Sequence, residues 1–245
     1  MTPWTLALAL TLALLLAEPA AAATKYEVAK PAQAGAVAGT VTLEGDPPAP
    51  KKFLINKNKE VCGTGWKEVP TIALSGEAVD EVVVYLKDVG KGKDWAPKAQ
   101  QVLDNEKCEF QPHVQAMPVD RDLTITNSDE VIHNTHAYHS ASEKGGLTVI
   151  NIALPTAGMK IPKKMARAGV HRVDCDSHNW MRAWVFVGEN PYYAVTAKGG
   201  KYRIDGIPPG TYAVVFWQEA LGEQTKQVTI EPGKTATLDV VMQGQ

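Results

Sequence analysis

The stretch Val173-Asp-Cys-Asp-Ser-His-Asn-Trp-Met181 places a thiol, an imidazole and a thioether at Cys175, His178 and Met181, all within seven residues. One Cys and two His in a plane, with a weak axial Met, form the donor set that holds copper between its two oxidation states. Sulfur favours Cu(I), and imidazole serves both. A loop that turns around an ion can supply three of these donors, so the fourth comes from elsewhere and should be a His. His133 is the candidate, in Asn127-Ser-Asp-Glu-Val-Ile-His-Asn134, shortly after a strand and a turn. The expected site is one copper ion, Cu(I)/Cu(II), on His133, Cys175, His178 and Met181. Zinc is the rival, but its closed sites use Cys and His without thioether, so Met181 counts against it. A redox dithiol lacks the Cys-x2-Cys it would need. His113, His136 and His139 could form a second metal site, although such residues are more often surface or packed side chains. His171 reads as a packed core ring.

The elements that must carry these donors are strands. Asp122 to Thr126 alternates before the Asn127-Ser-Asp turn, and Val131 to Tyr138, Met159 to Met165, Val170 to Cys175 and Ala183 to Val187 follow. Alternation puts Cys175, Val173 and His171 on one face and Asp174, Arg172 and Val170 on the other, so an inward Cys175 sends the charges outward. Upstream, Ala38 to Leu43 and Glu81 to Leu86 read as strands, with a polar connection from Lys91 to Pro97. Downstream, so do Lys201 to Ile204, Thr211 to Trp217, Gln227 to Ile230 and Thr237 to Met242. Gly/Pro turns separate them (Asp205-Gly-Ile-Pro-Pro-Gly, Glu231-Pro-Gly-Lys), which predicts an all-β protein of sandwiches.

The first two dozen residues read as an export signal. Trp4 to Ala17 is an apolar run too short for a comfortable membrane span, followed by small residues through Ala23. The n-region has no Lys or Arg, so an uncleaved anchor is the alternative, and either reading puts the folded part outside the cytoplasm, in the periplasm or otherwise exported. No other segment is long and apolar enough to span a bilayer. The formal net charge is −2, which makes no electrostatic case for nucleic acid or anionic membrane as a partner. The three cysteines of an exported chain are Cys62, Cys108 and Cys175. Cys62 and Cys108 stand in loop-like settings, and the simplest partition joins them as a disulfide and leaves Cys175 free. A bare thiol is a liability in an oxidising compartment, and a metal bond would explain how it is tolerated.

Cys-x2-His-x2-Met, after a Gly-started strand and before Ala-Trp-Val-Phe-Val, resembles the ligand loop of the cupredoxins, the blue copper proteins. His133-Asn134 shortly after Asn127 is similar to the first-ligand motif of that family, and the resemblance covers roughly residues 105–188. It implies a Greek-key β-sandwich and a second-shell role for Asn134, whose amide would tie the His133 strand to the Cys175 loop. It also implies a partly exposed His178 through which electrons pass. Gly39-Thr-Val-Thr-Leu-Glu-Gly with Val82-Val-Val-Tyr-Leu, and Gly200-Lys-Tyr with Pro208-Pro-Gly-Thr-Tyr212, resemble a carboxypeptidase regulatory-like (transthyretin-like) β-sandwich. The expected organisation is signal 1–23, linker 24–35, first part of that sandwich 36–97, cupredoxin 98–190 and second part 191–245. The cupredoxin would thus be inserted in a second small β-sandwich, or else be flanked by two small serial domains.

These readings point to an exported protein that passes single electrons between a donor and an acceptor protein. The alternative is copper resistance, storage or delivery, in which the ion itself is handed over; Met117, Met159 and Met165 and the extra histidines favour it. A structural module with a dead site is a third class. No enzyme is expected, because four protein ligands leave no open position for substrate.

Overall fold

The computed structural model describes residues 26–95, 100–142 and 145–244. The expected export signal lies outside them. Among the described residues the chain is all strands and turns apart from one helical turn, Lys59–Cys62, and no helix is long and apolar enough to cross a membrane.

The middle of the chain folds into two mixed sheets. One runs Glu109–Gln111, Gln101–Glu106, Arg121–Asn127, Lys160–Met165. The other runs Val114–Pro118, Arg182–Gly188, Gly169–Asp174, His133–Ser142, Gly145–Leu154. Leu103, Leu123, Ile125, Val173 and Val185 close the core between them. Each such side chain, fully buried, contributes about 1.5–3 kcal/mol.

A second sandwich draws its strands from both sides of the first. Gly35–Glu44 pairs antiparallel with Lys201–Ile207 and parallel with Thr235–Thr237 and Val240–Gln243. Val83–Leu86 pairs with Tyr193–Val195 and with Gly210–Gln218. Gly39 permits the close crossing of the last segment: a Cβ there would collide with the Leu238 carbonyl. Val37, Val84, Ile204 and Phe216 fill this second core.

Two strands are buried on both faces and bind the sandwiches together. In Arg182–Gly188, Ala183, Val185 and Val187 face the first core, while Trp184 and Phe186 face the other way. In Val83–Leu86, Val84 and Leu86 face the second core, while Val83 and Tyr85 meet Trp184 and Phe186. Trp184 packs edge-on to Trp217 with centroids 5.0 Å apart, and Tyr85 packs on Phe186 at 4.5 Å. The outer face of the Cys175 sheet is therefore not the charged, solvated face its alternation predicts. Arg172 lies buried over the Tyr138 ring and bonds Asp174.

Three further expectations change. The described part of the 24–35 linker is docked, with Glu27–Val28 pairing Lys91–Gly92 and Tyr26 packed on Trp95 and Tyr192. The polar connection from Lys91 is thus partly strand. Within 36–97, residues 51–69 leave the second sandwich altogether. Among the described residues, Lys51–Ile55 and Gly65–Val69 pair only with each other, and Phe53, Ile55, Cys62 and Val69 pack on the first core.

Candidate metal centre

Cys175 follows Gly169–Asp174 directly, and His133 opens the neighbouring strand His133–Ser142. The loop from Cys175 to Met181 is closed by its own backbone: Cys175 N–H donates to Met181 O at 3.3 Å, His178 N–H to Cys175 O at 3.3 Å, and Met181 N–H to His178 O at 3.0 Å. That folding brings His178 back toward Cys175, and the neighbouring strand adds His133 to the same cluster. Nδ1 of His133 lies 4.0 Å from the Cys175 Sγ, and Nδ1 of His178 lies 3.6 Å from it. Metal bonds of about 2.0 Å to nitrogen and about 2.3 Å to sulfur, at trigonal angles, would place such donors about 3.7 Å apart. The residues present thus fit a shared ion. Met181 is buried at the loop's end.

The electrostatics suit ligation. Burial pulls the His178 imidazole down to about 4 and holds His133 below its ordinary range against the opposing pull of Asp129. Both rings are neutral at pH 7 and keep a lone pair to give. Burial pushes the Cys175 thiol up, while the N–H groups of Asn134, Ser177 and His178 pull it the other way. A metal ion bound there would displace the thiol proton, so its affinity would rise with pH.

Each imidazole is held from behind. His133 Nε2 donates to Asp129 Oδ2 at 2.8 Å. Asp129 also accepts the backbone N–H groups of Lys107 and Cys108 at 2.7 and 2.8 Å. These two residues, at φ 54° and 55°, form the two-residue hairpin turn between Glu106 and Glu109. His178 Nε2 donates to Asn58 Oδ1 at 3.0 Å. Fixing the proton on Nε2 leaves Nδ1 of both rings free toward Cys175. Asn134 sends its backbone N–H to Cys175 Sγ at 3.4 Å, and its side-chain oxygen accepts from Asp176 N at 3.4 Å, tying the His133 strand to the Cys175 loop. Cys108, Asp129 and His133 also lie close together, but the Cys108 sulfur is bonded to Cys62.

One expectation is corrected here. His178 is not partly exposed: the residue is 0% exposed, with Asn58 over its outer nitrogen. Asn58 and Asp129 were absent from the ligand and support residues expected from sequence. Asp129 carried a signal, an Asp in the turn four residues before His133; Asn58, 120 residues from its partner, carried none.

The three remaining candidates are not brought together. His113 reaches across to the second sandwich, bonding Glu219 and the Arg182 carbonyl, and Glu219 also accepts Trp184 Nε1–H at 2.7 Å. His136 bonds Asp176 and Thr148. His139 packs beside the buried His171. The Cys62–Cys108 disulfide is formed, and Cys175 is free and buried.

Residues 183–243 match the carboxypeptidase regulatory-like domain family. Among solved structures the chain is similar to an amicyanin from Paracoccus versutus at 18% identity, TM-score 0.32, covering 38% of this chain and 85% of that one. It is also similar to a purple cupredoxin from Nitrosopumilus maritimus at 21% identity, TM-score 0.30, covering 36% and 100%. A copper-containing nitrite reductase from Thermus scotoductus matches at 13% identity, TM-score 0.31, covering 49% and 25%. No protein of curated function matches by sequence. The chain thus carries a segment that matches the carboxypeptidase regulatory-like domain family and is similar to cupredoxin structures over part of its length.

Proposed function

We propose that this is an exported mononuclear copper protein that passes single electrons from a donor protein to an acceptor protein. His133, Cys175 and His178 would hold the ion in a plane and Met181 would complete it, with Asn134, Asp129 and Asn58 fixing the donors. The observation that carries this is the buried set of one thiol and two neutral, back-supported imidazoles, spaced for one shared ion. When bound, the ion supplies a Cu(II)/Cu(I) couple that takes up one electron and releases one. The chain keeps water out and holds the donors still, so little rearrangement accompanies the change. With these four residues around the ion, no position would be left for a substrate, and the reading we propose is not an enzyme.

The alternative, handing the ion to an acceptor for resistance, storage or delivery, needs a ligand edge that another protein can reach. Both imidazoles are fully buried, which favours retention of the ion.

The test is the visible spectrum of copper-loaded protein beside Cys175→Ala. An intense thiolate-to-Cu(II) band, lost in the variant, is expected. A colourless wild type would refute the reading. Reversible one-electron cycling without copper loss to a chelator separates electron transfer from delivery.

A further inference from the structure

We infer that residues 51–69 form a strap over the candidate metal centre, in which Asn58 is a positioning residue for His178 and the Cys62–Cys108 disulfide joins the outer supports of both histidines. The assignment of the donors as ligands belongs to the reading above; the strap's grip on His178 does not depend on it.

The strap is built to present one side chain. Its strands pair only with each other, and alternation lays Phe53 and Ile55 on the first core while Leu54 and Trp66, opposite each other in register, stay 50% and 69% exposed. Between the strands the chain reverses at Asn58, which sits at φ 48°, ψ 45°. Asparagine is among the few residues with a side chain that enter this left-handed region readily. The Asn58 carbonyl accepts the N–H groups of Val61 and Cys62 at 3.0 and 2.8 Å, so its backbone is fixed by the helical turn that ends at Cys62.

From there the support is continuous. Cys62 is bonded to Cys108, and the Cys108 N–H donates to Asp129 Oδ2, the same oxygen that receives the proton of His133 Nε2. At the other end the Asn58 amide oxygen, an acceptor only, receives the proton of His178 Nε2. The path His133–Asp129–Cys108–Cys62–Asn58–His178 therefore runs around the outside of both imidazoles and contains one covalent bridge. Cutting it frees Asn58 to leave, and the outer edge of His178 then meets water.

The test uses the full chain and begins without metal. Asn58→Gly removes only the amide and keeps the left-handed backbone, because glycine tolerates it. Asn58→Asp keeps an acceptor at the same place. In wild type, proton–nitrogen NMR of the imidazoles should show His178 with its proton on Nε2 and slow exchange of that proton with water. Asn58→Gly should mix the tautomers and speed that exchange at least tenfold, Asn58→Asp should restore the wild-type pattern, and Cys62→Ser with Cys108→Ser should reproduce the glycine variant. In copper-loaded protein Asn58→Gly should weaken copper retention against a chelator by about 10–100-fold, the range seen when a ligand histidine loses its outer partner. Unchanged tautomer and exchange in Asn58→Gly would overturn the positioning role, and wild-type protection in the double serine variant would overturn the strap. Failure of wild type to bind copper, with the NMR results as expected, would instead count against the metal reading alone.

Discussion

At the scale of single residues, the candidate donors stood out because three of them are compressed into a short stretch, and the structure brings Cys175, His178 and His133 together. Cys175, His178 and Met181 declare themselves by type and spacing, and His133 by the turn before it. Their supports were legible only in part. Asp129 satisfies three N–H groups, and those of Cys108 and His133 are buried. Asp129→Ala should therefore destabilise the metal-free protein by about 2–4 kcal/mol in urea unfolding, since it leaves buried donors unpaired. Asparagines on a lysine-rich turn have no pattern that names a distant partner, and Asn58 could be found only in three dimensions. Two other histidines set opposite pH dependences. Burial, with His139 nearby, holds His171 down at about 4, against an unfolded value near 6.5. The unfolded chain thus binds the proton first, and stability should fall by about 3 kcal/mol as pH drops from about 6.5 to about 4. His171→Leu should flatten that part of the profile. His113 behaves the other way. Burial lowers it, but the Glu219 carboxylate, with Glu81 and the Arg182 carbonyl, outweighs burial and leaves it raised. Its contribution is complete below the unfolded value and is lost as pH rises through the higher folded one. The stability difference between wild type and His113→Gln should shrink as pH rises through the His113 folded value.

At the scale of elements, most strands announced themselves by alternation, and two announced more than alternation explains. Ala-Trp-Val-Phe-Val and Val-Val-Val-Tyr-Leu are unbroken apolar runs, and a strand reads that way when both its faces are covered. These two strands hold the sandwiches face to face through Trp184, Phe186, Val83 and Tyr85. Trp184→Ala should cost about 3–5 kcal/mol in chemical denaturation, because it empties the seam and unpairs a Glu219 oxygen. The short strands Lys51–Ile55 and Gly65–Val69 were missed for the converse reason. Their outer faces are solvated even where Leu54 and Trp66 stand, and the core they lie on is built by residues far along the chain.

At the scale of the whole molecule, the tail of the chain cannot supply its own sheet. Gly35–Glu44 is the common neighbour of Lys201–Ile207, Thr235–Thr237 and Val240–Gln243. A fragment 191–245 should show no cooperative unfolding transition by circular dichroism, whereas adding the separate 26–95 segment should restore part of it. Fold class and the two resemblances were readable from composition, turns and motifs. The joining of the sandwiches was not, because it depends on which faces meet. The disulfide spans a sequence separation of 46, and replacing both of its cysteines by serine should lower stability by about 2–4 kcal/mol.

The strap gives maturation an order. Asn58 lies within the turn that ends at Cys62, so its reach to His178 is secured only after an oxidant has joined Cys62 to Cys108. On the same inference, a chain whose Cys62 and Cys108 are still thiols would leave the His178 imidazole open at its back. On the proposed copper reading, thiol oxidation and metal loading would be coupled events, because the bond that fixes this turn also closes the back of a ligand.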